Sequence, residues 1–133
     1  RLFITEKSGR FCVLDLESLS FIRIPHNLAV LDRRQGGLLD SVYQDGDVWV
    51  SYAEDRGKGF SSTSVARARF DDKRLVFSPI FQAEPPIRSG VHFGSRLLIV
   101  KPPTARVVVC VVPRVVVSVK ESPSAGSSVA TPF

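Results

Sequence analysis

The sequence has no methionine, one tryptophan, two histidines and two cysteines, and each scarcity narrows the chemistry open to it. Cys12 and Cys110 lie far apart, with neither Cys-x-x-Cys spacing nor a histidine cluster beside them. That argues against a zinc site; the two thiols either pair or stay free. Long apolar runs are also missing. The longest, Val107 to Val112, is interrupted at Pro113-Arg114 before Val115 to Val117, too short and broken for a membrane span. No basic stripe interleaves with aromatics, so a nucleic-acid interface has no support. The net charge of +5 is unevenly placed: residues 1–100 carry 14 Lys/Arg against 12 Asp/Glu, and residues 101–133 carry four against one. Solvated surface charge accounts for the first part. The chain starts at Arg1 directly on a strand-like Leu2-Phe3-Ile4-Thr5, so we expect a cut N-terminus, and a missing signal peptide says nothing about export.

What is present points to strands. A chain of 133 residues with 44% hydrophobic residues suffices for one small core. Nine phenylalanines, many valines, nine glycines and nine prolines favour strands and turns over helices. We therefore read the fold as all-β. Leu2–Thr5 and Phe11–Asp15 form a hairpin through Lys7-Ser8-Gly9-Arg10, and Ser20–Ile24 is a third strand that Pro25 ends. His26 follows in a polar connection as a structural or exposed residue. Asp45-Gly46 turns the chain into Asp47–Ala53, where Val48, Val50 and Tyr52 share one face. Glu54 to Ser62 reads as a charged loop. In Thr63–Phe70, Ala66, Ala68 and Phe70 alternate with Arg67 and Arg69, which should face solvent or a neighbouring blade. Asp71-Asp72-Lys73 then leads into a strand at Arg74–Phe77, continued by Ile80-Phe81. Strands at such spacing suggest a sandwich, barrel or propeller.

Two glycine-rich stretches carry the chemistry. In Gln35-Gly36-Gly37-Leu38-Leu39-Asp40, paired glycines allow a close backbone approach or a sharp turn before a strand. In Ser89-Gly90-Val91-His92-Phe93-Gly94-Ser95, a lone histidine sits where a loop feeds the strand-like Leu97-Leu98-Ile99. Histidine can take a proton from a hydroxyl near neutral pH when a rigid scaffold holds it. A single loop histidine is, by itself, more often a surface or packing residue.

Taken in order, a first strand, Gln35-Gly36-Gly37-Leu38-Leu39, Trp49-Val50-Ser51-Tyr52-Ala53-Glu54, Ser64-Val65-Ala66-Arg67 and His92-Phe93-Gly94-Ser95-Arg96-Leu97 resemble one family. It is the soluble aldose sugar dehydrogenases dependent on pyrroloquinoline quinone (PQQ), the glucose/sorbosone dehydrogenase group. The resemblance covers about residues 1–100. It implies a six-bladed β-propeller of which this chain holds the first blades only, with PQQ and calcium above the central channel. It also implies a periplasmic or secreted enzyme that takes an aldose sugar and an external electron acceptor. By the same resemblance His92 is the catalytic base, and Gln35 lies near quinone and sugar. Val91 stands where soluble glucose dehydrogenases have an acidic residue, which favours the broader aldose-dehydrogenase branch. The residues that grip the quinone and most calcium ligands belong to later blades.

Beyond Ile99 the pattern departs. The resemblance calls for an Asp-Gly-type turn, a strand and a Gly-Asp/Glu-Arg loop, yet the chain has no aspartate after Asp72. We expect residues 101–133 to be a divergent tail, frame-shifted or disordered, with disorder from the Ser/Pro-rich Glu121 onward. Codons for Pro103-Thr104-Ala105, read in another frame with the start of the Arg106 codon, can spell Asp-Gly-Thr. Two other readings stay open at this point: a non-catalytic β-propeller that binds carbohydrate or protein, and an all-β domain with no site.

Overall fold

A computed structural model describes residues 1–100, 106–111, 115–120 and 131–132. Among them there are strands and no helices. Strands β1 (Leu2–Thr5), β2 (Phe11–Leu14) and β3 (Phe21–Ile24) form an antiparallel sheet in chain order. Next come β4 (Leu38–Gln44), β5 (Asp47–Asp55), β6 (Ser61–Arg69) and β7 (Ser78–Gln82), a four-stranded antiparallel meander of the kind that makes a propeller blade. Strands β8 (Ser95–Val100), β9 (Arg106–Val111), β10 (Val115–Lys120) and β11 (Thr131–Pro132) form a third antiparallel sheet. The valine segments thus pair as β9 and β10. The re-read turn at 103–105 and the tail from Glu121, save β11, lie outside the described residues.

The meander is held by local turn chemistry and by alternation. Asp45 and Gly46 both have positive φ, at 53° and 84°, which gives the two-residue turn whose twist suits a β-hairpin. On β5, Val48, Val50 and Tyr52 point to one side, where they join Phe11, Val13 and Ile24 of the first sheet in a single buried cluster. Their cross-strand partners on β6 are Ala68, Ala66 and Ser64, small residues that leave room for the phenylalanines opposite. The rings of Phe11 and Phe77 lie 5.4 Å apart there. Each fully buried side chain of that size contributes about 1.5–3 kcal/mol, so this cluster is the main cohesion between the first two sheets. On the other side of the meander Trp49 and Val65 pack with Leu97 of β8, which fastens the third sheet.

Two expectations change. Arg74–Phe77 is not a strand of the meander: Leu75 and Phe77 enter the core, but their hydrogen bonds run to the segment after β3. Leu75 N–H donates to the Pro25 carbonyl at 2.9 Å, and Asn27 holds Phe77 N–H and carbonyl at 2.8 and 3.0 Å. The alternation is that of a strand, while its partners stitch one sheet to the next. Arg67, expected to face solvent or a neighbouring blade, lies half-exposed on the Trp49 face of the meander, the side on which the third sheet packs, in keeping with that reading. Its guanidinium lies 4.8 Å over the Trp49 ring and donates to Asp47 at 2.6 Å, whereas Arg69 is exposed and donates to the Asp45 carbonyl. The loop between β5 and β6 shrinks to residues 56–60, because Glu54, Asp55, Ser61 and Ser62 are paired strand residues.

Cys12 is a buried free thiol on β2. His26 is structural, as read. Its ring meets Phe11 edge-on at 4.8 Å, and its Nδ1 accepts the Leu28 N–H at 3.1 Å. Burial lowers its pKa below the ordinary 6.5, and Arg23 lowers it further against an opposing hydrogen bond to the Gly9 backbone. Because the unfolded chain binds this proton more readily, the contribution of His26 to stability is complete above about pH 6.5 and is lost as pH falls through the folded value. Denaturation midpoints of a full-length protein carrying this segment, taken at pH 7.5 and pH 5, should therefore differ less for His26→Gln than for the wild type.

Candidate functional site

The connection from residue 31 to Gly37 is hung between the first sheet and the meander. Leu31 N–H donates to the Ala53 carbonyl at 2.8 Å, Ala53 N–H to the Gly37 carbonyl at 2.9 Å, and Leu38 N–H to the Lys7 carbonyl at 2.9 Å. Lys7 and Asp32 form an ion pair alongside. The glycines permit the close approach that their sequence suggested. Gly37 has φ of 134°, and a Cβ there would lie 2.3 Å from the Lys7 carbonyl oxygen; one on Gly36 would lie 2.7 Å from that of Leu31. Gly37→Ala should cost about 2–4 kcal/mol, since it adds a left-handed side chain to a clash with backbone. Chemical denaturation of the full-length protein checks this.

The second connection, residues 83–94, crosses the end of the meander. Ser61 and Ile87 exchange backbone hydrogen bonds at 2.9 Å, and the buried Ser61 hydroxyl donates to the Ser89 carbonyl at 2.9 Å. The Ser89 hydroxyl in turn accepts the Val91 N–H at 3.1 Å. At its far end Leu97 N–H donates to Asp40 Oδ2 at 2.8 Å, which ties the start of β8 to β4.

The two connections meet at the two residues that sequence singled out. Gln35 N–H donates to the Gly90 carbonyl at 3.0 Å, and Gln35 Oε1 accepts the His92 N–H at 3.0 Å. Both side chains are exposed. His92 has φ of 71° and Arg34, next to Gln35, φ of 52°. Each is a non-glycine residue in the left-handed region, a conformation that costs about 1–3 kcal/mol and persists only where surroundings enforce it. Gly90 is buried against the Arg33 and Arg34 side chains, its absent Cβ position 3.1 Å from Arg34 Cδ. Tyr52 is no rival acid or base: burial first, then Glu54, push its phenol up to about 12.

These residues form a hydrogen-bonded pair at the mouth of β8. Among the described residues no three His, Cys, Asp or Glu side chains converge on a possible metal site. Nor does the pair itself offer the cationic grip that a quinone bearing carboxylates needs. Asp40 and Ser61 escaped the sequence reading. The signals were an aspartate within the apolar start of β4 and a polar run, Ser61–Ser64, that is wholly buried.

A family model described as Glucose / Sorbosone dehydrogenase matches residues 1–112, most of the chain. The chain belongs to this family. The match extends past residue 100 into β9. Aldose sugar dehydrogenase YliI of Escherichia coli (strain K12) is 38% identical over 72 residues, covering 48% of this chain and 19% of that protein. Two solved structures described as glucose dehydrogenase superpose with TM-scores of 0.69 and 0.68 at 28% identity, each over 79% of this chain and 33% of theirs. The chain therefore spans about a fifth of that curated relative and a third of those structures. Its all-β, antiparallel architecture is that of the family's glucose dehydrogenases, and the enzymes it resembles are sugar dehydrogenases. Among the described residues, no helix is long and apolar enough to cross a membrane.

Proposed function

We propose that this chain is the N-terminal part of a dehydrogenase that oxidises an aldose at its anomeric carbon, with His92 as general base and Gln35 beside it. The observation that carries the reading is family membership over residues 1–112. The hydrogen bond that brings His92 and Gln35 together from distant loops supports it further. In this reading residues 1–100 are the first blades of a six-bladed propeller, and the tail that diverges from them lies within residues 101–133, past the end of the family match at residue 112. The rest of a full-length protein supplies PQQ, held with calcium, as the hydride acceptor. The enzyme works in the periplasm or outside the cell and passes electrons to an external acceptor.

The role of this chain's own residues is simple. The His92 imidazole takes the proton of the anomeric hydroxyl while hydride leaves the same carbon, so the sugar loses both and becomes the lactone. The imidazole can do this only through an unprotonated ring nitrogen, whose lone pair accepts the proton. The test is aldose-dependent dye reduction by a full-length family protein carrying this segment, with PQQ and calcium added. Reduction that requires both sugar and PQQ is expected. Carbohydrate binding without any PQQ-dependent reduction would instead identify a binding propeller.

A further inference from the structure

We propose that Gln35 is a positioning residue: its carboxamide oxygen holds the His92 backbone in the left-handed conformation from which the imidazole is presented to substrate. The inference rests on His92 being the base and adds what keeps that base in place.

A backbone N–H can only donate, so the Gln35 atom 3.0 Å from His92 N is its oxygen, and the amide orientation follows from the partner. The reciprocal bond from Gln35 N–H to the Gly90 carbonyl closes a clamp on both sides of Val91. His92 needs such a clamp. With φ of 71° it departs from the region a histidine adopts unaided, and relaxation to negative φ would turn its Cα–Cβ bond away from the present direction. The clamp is itself rigidly founded. Gly36 and Gly37 press against the Leu31 and Lys7 carbonyls with no room for a side chain, so Gln35 has little freedom to follow a moving loop. On the other side, the Ser61 hydroxyl fixes Ser89 and the Asp40 carboxylate fixes Leu97, so His92 is anchored before and after itself. Gln35 supplies the missing hold at His92.

A direct sugar contact and a positioning role differ in what they predict. Removing a contact to substrate raises KM, whereas misaiming a base lowers kcat, and a displacement near 1 Å can cost about 10²-fold. The experiment compares Gln35→Ala, Gln35→Glu and His92→Ala in a full-length, PQQ- and calcium-loaded family enzyme carrying this segment. Glutamate keeps the oxygen acceptor and loses the NH₂ donor. We expect kcat of Gln35→Ala to fall about 10²-fold with KM little changed. Gln35→Glu should recover most of kcat on the alkaline plateau, its acid limb moved to higher pH by the new carboxylate. Amide hydrogen exchange across residues 90–94 of the apoprotein should quicken in Gln35→Ala and not in Gln35→Glu. An unchanged kcat with raised KM in Gln35→Ala, or equal loss in both Gln35 variants, would overturn the inference. Should Gln35→Ala fail to load, the Glu variant and the exchange measurement decide alone. If His92→Ala keeps its kcat, the base assignment itself fails, a result separable from any obtained at Gln35.

Discussion

The 133-residue chain, expressed by itself, is expected to show no sugar oxidation with any aldose, PQQ and calcium added. Oxidation of an aldose removes two electrons, and His92 can accept only a proton, so turnover needs an acceptor held at a fixed distance. Among the described residues no three His, Cys, Asp or Glu side chains gather as a metal site would require of them. The isolated chain also leaves apolar surface open. Phe21 and Ile22 on the outer strand β3 are 58% and 47% exposed, and Leu98 on β8 is 60% exposed. A propeller covers such faces with adjoining blades, and left open they and the unpaired edges invite association. The valine-rich β9 and β10 segments add to that tendency. Size-exclusion chromatography, thermal melting and dye reduction test the expectation together. A soluble monomer with a cooperative melt and sugar-dependent dye reduction would contradict it.

His92→Ala in a full-length family enzyme carrying this segment should lower turnover by about 10²–10⁴-fold, the usual contribution of general acid–base catalysis. Quinone occupancy should change little, because in this account the imidazole meets the sugar hydroxyl and the grip on the quinone comes from residues outside this segment. Stability should change little too: the His92 side chain is exposed, and the contact that fixes the loop uses its backbone N–H. A His92 that served only to pack its loop would give the opposite pattern, a lower melting temperature with turnover per folded molecule preserved. His92→Gly separates the two further. Glycine adopts φ of 71° without strain, so it should keep the loop and still lose the base.

Much of the architecture was legible because it is written in local pattern. The hairpin at Lys7–Arg10, the Asp45-Gly46 turn and the Val48-Val50-Tyr52 face follow from glycine placement and from period-2 alternation, and all three are observed. The misplaced strand shows where such patterns stop. Leu75 and Phe77 alternate as a strand residue pair must, yet alternation reports only which side chains are buried, and their backbone partners are Pro25 and Asn27, some 50 residues earlier. Arg67 was read by charge, while its position opposite Trp49 on β5 decided its neighbours. At the site, Gln35 and His92 were each singled out, but their mutual hydrogen bond spans 57 residues and leaves no mark on either local sequence. The tight seat of Gly37 was foreshadowed; that Lys7 is what it approaches was not.

The central claim, that this segment furnishes the base of a sugar dehydrogenase, is tested most directly by single-turnover reduction of bound PQQ by saturating aldose in His92→Ala. The measurement follows cofactor absorbance in well-folded enzyme of known quinone occupancy, so neither folding, loading nor product release enters the rate. The account predicts a rate constant about 10²–10⁴-fold below wild type, with melting temperature and occupancy unchanged. A rate constant near that of the wild type in fully loaded His92→Ala would contradict it.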